Sequence, residues 1–182
     1  MRVLGVSSGN GVILHSLQNY DIIGNIEKRK THQTKKLEQW FSNFDEPYYY
    51  DLDRSLRPDV IVGNPDCGHS SKFRYSRAKK LIDPSSNESL ETYFASINKY
   101  KPLIFMMENL PGINRDGLLD KVISELDIEY NYITFQGSVS MWGNSQVNRL
   151  RMVIIGCRSD FMDQEQLKDN FELPDSNKKL KI

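Results

Sequence analysis

Residues 1–27 read MRVLGVSSGNGVILHSLQNYDIIGNIE, and their pattern decides the fold class. The apolar run at residues 2–7 predicts a first strand, residues 12–18 have the spacing of a helix, and residues 20–27 predict a second strand. Residues 7–11 (SSGNG) form a turn of small residues between the first strand and the helix. A strand, a helix and a strand joined by short connections predict a βαβ unit, in which the two strands run parallel.

The same alternation of strand and helix continues along the rest of the chain. Further strands are predicted at residues 48–52, 59–63, 102–107, 130–136 and 151–157, and further helices at residues 31–44, 90–100 and 117–126. Continuously apolar strands separated by helices are typical of a mostly parallel sheet with helices on both faces, the doubly wound α/β class. Ligands of such sheets bind beyond the carboxyl ends of the strands, so the residues that follow each strand are the candidate functional residues.

Length and composition restrict the class of protein further. The chain has 182 residues, of which 38% are hydrophobic and 26% charged, and this predicts one folded domain rather than a disordered chain. Two cysteines are too few for a disulfide scaffold and favour a cytoplasmic location. The sequence has neither a signal-peptide pattern at its N-terminus nor an apolar run of about 18 residues, so we expect no secretion and no membrane partner.

The charge balance limits how the chain could bind nucleic acid. Lysine plus arginine and aspartate plus glutamate number 24 each, which gives a net charge of zero. Proteins that hold duplex nucleic acid by themselves usually carry a net positive charge, because phosphate contacts supply most of the non-specific affinity. Any such contact must therefore use a partner or a local basic patch. Residues 72–80 (KFRYSRAKK) are such a patch, with five positive charges and two aromatic rings, although the pattern also fits a solvated helix face.

Small and acidic residues follow the first three strands. The turn at residues 7–11 lets backbone N–H groups approach a polar ligand closely, although such turns also occur without a ligand. Glu27 ends the second strand, where nucleotide-binding folds place a carboxylate that binds ribose hydroxyls; a solvated acid beside Lys28 is an equal alternative. Asp51 ends the third strand and is the next candidate of this kind, with Asp53 as its competitor.

Groups able to take part in covalent and proton chemistry follow the fourth and fifth strands. Cys67 lies in a loop opened by glycine and proline, as a nucleophile would, although a lone cysteine is more often a small buried residue. His69 is more often a hydrogen-bonded loop histidine than a base. Glu108 and Asn109 follow an apolar strand side by side, where an unpartnered carboxylate is costly to bury, so Glu108 is a candidate acid.

Two arginines come just before and at the start of the last strand. Arg149 and Arg151 are separated by one residue and point the same way on an extended chain. Both could reach one anionic or carbonyl group, whereas the alternative is that both are simply exposed at the surface.

Taken in this order, the segments resemble the cytosine-C5 DNA methyltransferase family over residues 1–158. The run Ser8-Gly9-Asn10-Gly11 is similar to the family's glycine-rich first motif. Glu27 matches the ribose-binding acid of the family, and Asp51 matches the aspartate of its cofactor-adenine motif.

Three later segments carry the catalytic part of the resemblance. The run DVIVGNPDC at residues 59–67 is similar to the strand and Pro-Pro-Cys motif of the family. KPLIFMMENLPGI at residues 101–113 is similar to the Glu-Asn-Val motif, and QVNRLRMVIIG at residues 146–156 to the Gln-x-Arg-x-Arg motif.

The resemblance implies a Rossmann-like fold that uses S-adenosylmethionine to methylate C5 of cytosine in DNA. It implies Cys67 as the nucleophile that adds to C6, Glu108 as the acid at N3 and the exocyclic amine, and Arg149 and Arg151 beside the base. The implied cofactor-binding residues are Ser8, Gly9, Asn10, Gly11, Glu27, Asp51 and Pro65. The implied nucleic-acid-binding residues, around a base flipped out of the duplex, are Ser71, Lys72, Arg74, Arg77 and Asn109. No metal is implied.

The chain also departs from the family pattern. Asp66 stands where the second proline is expected, and a carboxylate next to Cys67 opposes formation of the thiolate. Residues 159–182 are predicted to be a charged C-terminal extension, without the family's target-recognition domain. A second polypeptide that supplies target recognition is therefore an expected partner. The alternative is a non-catalytic, methyltransferase-like protein that binds the cofactor, nucleic acid or another protein.

Overall fold

The structure is a computed structural model that describes residues 1–9, 11–27, 35, 38–39, 48–49, 55–66, 88–138, 140 and 149–171. The predicted helix at residues 31–44 lies almost wholly outside the described residues. The basic patch at residues 72–80 lies wholly outside them. The predicted site residues that also lie outside them are Asn10, Asp51, Cys67, Ser71, Lys72, Arg74 and Arg77.

Seven strands in the described part of the chain form one sheet, in the order β3-β2-β1-β4-β5-β7-β6. They are β1 (Arg2–Val6), β2 (Asp21–Ile26), β3 (Tyr48–Tyr49), β4 (Val60–Gly63), β5 (Ile104–Asn109), β6 (Tyr130–Ser138) and β7 (Leu150–Arg158). Strands β1 to β5 pair in parallel, whereas β7 runs antiparallel to both of its neighbours, β5 and β6. The predicted doubly wound, mostly parallel sheet is confirmed.

The turn after β1 depends on unusual backbone angles. It leads into α1 (Val12–Ser16) through Ser7, Gly9 and Gly11, whose φ angles are 52°, 61° and 76°. The two glycines adopt positive φ easily because they have no Cβ. Ser7 lacks this freedom, and a hydrogen bond of 2.8 Å from its N–H to the carbonyl oxygen of Ile26 helps to hold it in place.

One face of the sheet is covered by α2 (Glu88–Tyr100). The buried apolar residues of this helix recur at helical spacing: Leu90, Tyr93, Phe94 and Ile97. Gly63 in β4 leaves room for the helix, because a Cβ added there would come within 2.8 Å of the Tyr93 ring. On this face α2 packs with residues from four strands and from α3 (Leu118–Ser124), namely Leu4, Val6, Ile26, Ile61, Phe105, Met107, Leu119 and Ile123.

The opposite face is covered by α1 and by α4 (Gln164–Asn170). Val3 of β1 packs with Leu14 of α1, and Cys157 of β7 packs with Leu167 of α4. Helices therefore lie on both faces of the sheet, as predicted. No helix within the described ranges is long and apolar enough to cross a membrane.

The segment predicted as a charged extension, residues 159–182, differs from that expectation in its first half, which contains α4. A capping box starts this helix: the carboxylate of Asp163 accepts a 2.8 Å hydrogen bond from the N–H of Gln166, whose side chain accepts a 3.2 Å bond from the N–H of Asp163. Leu167 is fully buried against the sheet. The helix itself has one apolar residue, which is too weak a pattern to predict this packing, although the sequence of the capping box can be recognised.

Candidate active site

The turn after β1 and the acid after β2 lie side by side, as the sequence predicts. Because β1 and β2 are parallel neighbours, their carboxyl ends meet at one edge of the sheet. The N–H of Gly9 donates a 3.2 Å hydrogen bond to Oε2 of Glu27, which is only 6% exposed. A buried carboxylate is thus fixed against the turn of small residues.

Two buried polar atoms beside this turn have no hydrogen-bond partner among the described residues. They are Oγ of Ser8 and Oδ1 of Asn64, and both amide atoms of Asn25 in β2, next to Ser8, are also unpaired. Asn64 follows β4, and its Nδ2 would lie 3.8 Å from a Cβ added to Gly9, so its amide faces the turn. Buried polar groups are nearly always hydrogen-bonded in folded proteins, so unpaired atoms at this edge fit a polar ligand.

The main chain just before Cys67 is held from two sides. The carbonyl oxygen of Pro65 accepts a 2.8 Å hydrogen bond from Nδ2 of Asn109, at the end of β5. The N–H of Asp66 donates a 2.7 Å hydrogen bond to Oγ of Ser89, in the first turn of α2. The two residues that lead to the predicted nucleophile are therefore anchored to a strand and to a helix.

The side chain of Asn109 makes hydrogen bonds within the protein. Its Oδ1 accepts a 2.8 Å hydrogen bond from the N–H of Leu110, in addition to the bond that its Nδ2 donates to Pro65. Only 3% of Asn109 is exposed. Its predicted contact with nucleic acid stays a prediction.

An acid and an arginine meet at the end of β5. Nε of Arg151 lies 2.5 Å from Oε1 of Glu108, with 12% of the arginine side chain and 33% of the glutamate side chain exposed. The contact arises because β5 and β7 are antiparallel neighbours, with Glu108 opposite Val153 and Asn109 opposite Met152. The sequence indicates that both arginines could reach one group; Arg151 makes the ion pair with Glu108, whereas Arg149 is exposed.

The surroundings of Glu108 favour its protonated form more than water does. Burial raises the pKa of the Glu108 carboxyl, and the positive charge of the exposed Arg149 partly opposes this rise. A carboxyl of this kind, already beside an arginine, can donate to or accept from a heterocyclic ring.

The structure brings together most of the predicted site residues that it describes. Ser8, Gly9, Gly11 and Glu27 form the first group, Pro65 and Asn109 the second, and Glu108 and Arg151 the third. Sequence reasoning missed Asn64 and Ser89. Asn64 could have been found because it directly follows a buried strand, whereas Ser89 carries no local signal in the sequence.

Comparisons with known proteins find relatives of this chain. A sequence model of the C-5 cytosine-specific DNA methylase family matches residues 4–182. The orphan methyltransferase M.SPRI of Bacillus phage SPR is 27% identical over 188 residues, which cover 96% of this chain and 42% of the phage protein.

Solved structures share the fold. A protein described as a DNA modification methyltransferase encoded within an E. coli prophage superposes with a TM-score of 0.65 at 18% identity, covering 96% of this chain and 51% of that chain. The S. pombe Dnmt2 methyltransferase has a TM-score of 0.59 at 17% identity, covering 94% and 61% respectively. At these identities the likeness establishes the fold alone, and the chain spans less than two thirds of each of these three proteins.

Proposed function

Because this chain belongs to the C-5 cytosine-specific DNA methylase family, we propose that it transfers a methyl group from S-adenosylmethionine to C5 of a cytosine in DNA. One observation carries the proposal. The turn with Gly9, the anchored loop that leads to Cys67 and the Glu108–Arg151 pair all stand at the carboxyl ends of neighbouring strands.

The first group of residues fits the methyl donor of the family. The carboxylate of Glu27 is able to accept hydrogen bonds from the two ribose hydroxyls. Gly9 and Gly11 let the main chain approach the donor closely, and the unpaired Oγ of Ser8 and Oδ1 of Asn64 offer polar contacts. Pro65, Asn10 and Asp51 are proposed as further contacts. S-adenosylmethionine, when bound, supplies the electrophilic methyl group.

The second and third groups fit the cytosine. C5 of cytosine is a poor nucleophile, so the thiolate of Cys67 first adds to C6 and makes C5 enamine-like. Glu108, with its raised pKa, holds a proton at N3 and accepts from the exocyclic amine, which stabilises the negative charge that develops on the ring. Arg151 orients Glu108, and Arg149 faces the O2 side. After methylation, loss of the C5 proton and elimination of Cys67 restore the ring and the thiol.

The thiolate has to approach from above the ring plane, so the cytosine must leave the duplex stack. The predicted contacts with the DNA around the flipped base are Ser71, Lys72, Arg74, Arg77 and Asn109. We further propose that target recognition comes from a second polypeptide. Its support is the zero net charge of the chain, which disfavours tight DNA binding by these residues alone.

The proposal is tested by transfer of tritium from labelled S-adenosylmethionine to mixed-sequence DNA. The wild type is compared with Cys67→Ala and with Cys157→Ala, whose cysteine is buried in β7 away from the three groups. We expect Cys67→Ala to abolish transfer and Cys157→Ala to retain it. Transfer that persists in Cys67→Ala would refute the mechanism.

A second candidate function is binding without catalysis. The observation that favours it is Asp66, an exposed carboxylate next to Cys67 that disfavours the thiolate. This candidate predicts that S-adenosylmethionine binds in calorimetry, with no label transferred to DNA under any condition. Asp66→Asn separates the two candidates further, because only an active enzyme can become faster when the charge is removed.

A further inference from the structure

We propose that Ser89 is a positioning residue that couples the cofactor turn to the loop that presents Cys67. The inference rests on the proposed function, because it assigns a coupling between two parts of that same site. Ser89 belongs to neither loop, and it contacts both.

Two hydrogen bonds of Ser89 carry the inference. Its main-chain carbonyl oxygen accepts a 3.1 Å bond from Oγ of Ser7, which lies 82 positions earlier in the chain. Its side-chain Oγ accepts a 2.7 Å bond from the N–H of Asp66, the residue before Cys67. Ser89 is only 6% exposed, so water has little access to its two acceptor oxygens. One residue of α2 therefore joins the end of β1 to the loop after β4.

The Ser7 end of this connection is part of the cofactor turn. Ser7 has a φ of 52°, which is unfavourable for a residue with a Cβ, and its N–H and Oγ are bonded to Ile26 and Ser89. Gly9, two residues later, donates to Glu27. A ligand that draws on Glu27 and the turn therefore acts on a segment that is tied directly to Ser89.

The Asp66 end explains a departure from the family pattern. A proline at this position has no N–H and could not donate to Ser89, whereas Asp66 can. The carbonyl oxygen of Pro65 is meanwhile held by Asn109. The Ser89 bond is thus one of two hydrogen bonds that hold the peptide group between Pro65 and Asp66, just before Cys67. Of the two, it is the one that connects this peptide group to the cofactor turn.

The consequence is that occupancy of the cofactor site should change the reactivity of Cys67 through Ser89. The measurement is the rate at which iodoacetamide alkylates Cys67 in the full chain, followed by peptide mass spectrometry, with and without saturating S-adenosylhomocysteine. Cys157 is resolved as a separate peptide and reacts slowly, because it is buried and burial raises the pKa of its thiol.

Four variants separate the hydrogen bond from its surroundings. Ser89→Ala removes the acceptor and Asp66→Pro removes the donor, whereas Asp66→Asn removes the charge and keeps the donor. Ser96→Ala is the matched control, because Ser96 is a fully buried serine of the same helix whose Oγ bonds only within the helix, to the carbonyl oxygen of Thr92 at 2.7 Å.

We expect S-adenosylhomocysteine to change the alkylation rate of Cys67 in the wild type by about 5-fold. This is the factor in rate that corresponds to the free energy of one ordinary hydrogen bond. Ser89→Ala and Asp66→Pro should reduce this response to less than about 2-fold, and Asp66→Asn and Ser96→Ala should keep it. Thermal unfolding checks that each variant is folded.

Three results would each overturn the coupling. The first is a response of wild-type size in Ser89→Ala, and the second is the lack of any response in the wild type. The third is an equal loss of response in Ser96→Ala, which would indicate a general effect of loosening α2. None of these measurements requires methyl transfer. A Ser89-dependent response together with label transfer that persists in Cys67→Ala would therefore refute the proposed function and leave the coupling intact.

Discussion

Replacing Asn109 with alanine tests how firmly the residues before Cys67 are held. Nδ2 of Asn109 donates to the carbonyl oxygen of Pro65, and Oδ1 accepts from the N–H of Leu110, each at 2.8 Å. Because Asn109 is only 3% exposed, water cannot replace these bonds without local rearrangement. Alanine leaves two main-chain groups without their partners, the carbonyl of Pro65 after β4 and the N–H of Leu110 after β5.

The expected cost follows from those two groups. An unpaired buried polar group costs about 1–3 kcal/mol, and part of this is recovered where the neighbours relax. We therefore expect Asn109→Ala to lower the free energy of unfolding by about 2–4 kcal/mol. For a chain of this length that corresponds to a fall of about 5–15 °C in Tm.

Urea unfolding followed by circular dichroism measures this change, with Asn98→Ala as the control. Oδ1 of Asn98 also accepts a 2.8 Å hydrogen bond from a main-chain N–H, that of Asp127, but at an exposed position. We expect the control to cost less than about 1 kcal/mol, because water replaces the lost bond. If Asn109→Ala were no more destabilising than Asn98→Ala, the anchoring of the Pro65 loop would be refuted.

Three further predictions concern Glu108, Arg151 and Leu167. Because burial raises the pKa of Glu108 above its unfolded value, the folded chain holds this proton more tightly, and its contribution to stability falls as the pH rises from below 4.5 through the raised pKa. Glu108→Gln should flatten this part of the pH profile of urea unfolding, and an unchanged profile would contradict the burial effect. Arg151→Met removes the cation beside Glu108 and should move the inflection to higher pH. An inflection that stays in place would contradict a stabilising ion pair between the two side chains. Leu167→Ala should cost about 2–4 kcal/mol in unfolding experiments, because the side chain is fully buried, and an unaltered Tm would contradict the docking of α4.

Much of the fold follows from the sequence, because its strands are continuously apolar and its turns are rich in small residues. The βαβ unit and the parallel pairing of β1 to β5 depend on patterns within single segments. The insertion of β7 between β5 and β6 does not, since the order of neighbouring strands depends on contacts between distant parts of the chain. The packing of α4 cannot be predicted from periodicity either, because the helix has one apolar residue, Leu167, and its contacts are with a distant part of the chain.

The candidate site divides in the same way. Glu27 and Glu108 could be predicted as candidate site residues, because a carboxylate at the end of an apolar strand is unusual and is costly to bury without a partner. The roles of Ser89 and Asn109 could not, because each bonds a loop that is distant in sequence, with separations of 23 residues from Ser89 to Asp66 and 44 from Asn109 to Pro65. Only the folded chain brings these partners together.

The central claim is that Cys67 forms a covalent bond to C6 of cytosine, and one measurement tests it directly. DNA that contains 5-fluorocytosine is incubated with the chain and S-adenosylmethionine, and the product is digested and weighed by mass spectrometry. Fluorine at C5 cannot leave as a proton does, so the final elimination is blocked and the adduct should accumulate on the peptide with Cys67, in the wild type and in Cys157→Ala. Methyl transfer to ordinary cytosine with no trapped adduct on Cys67, or an adduct that forms equally in Cys67→Ala, would contradict the account.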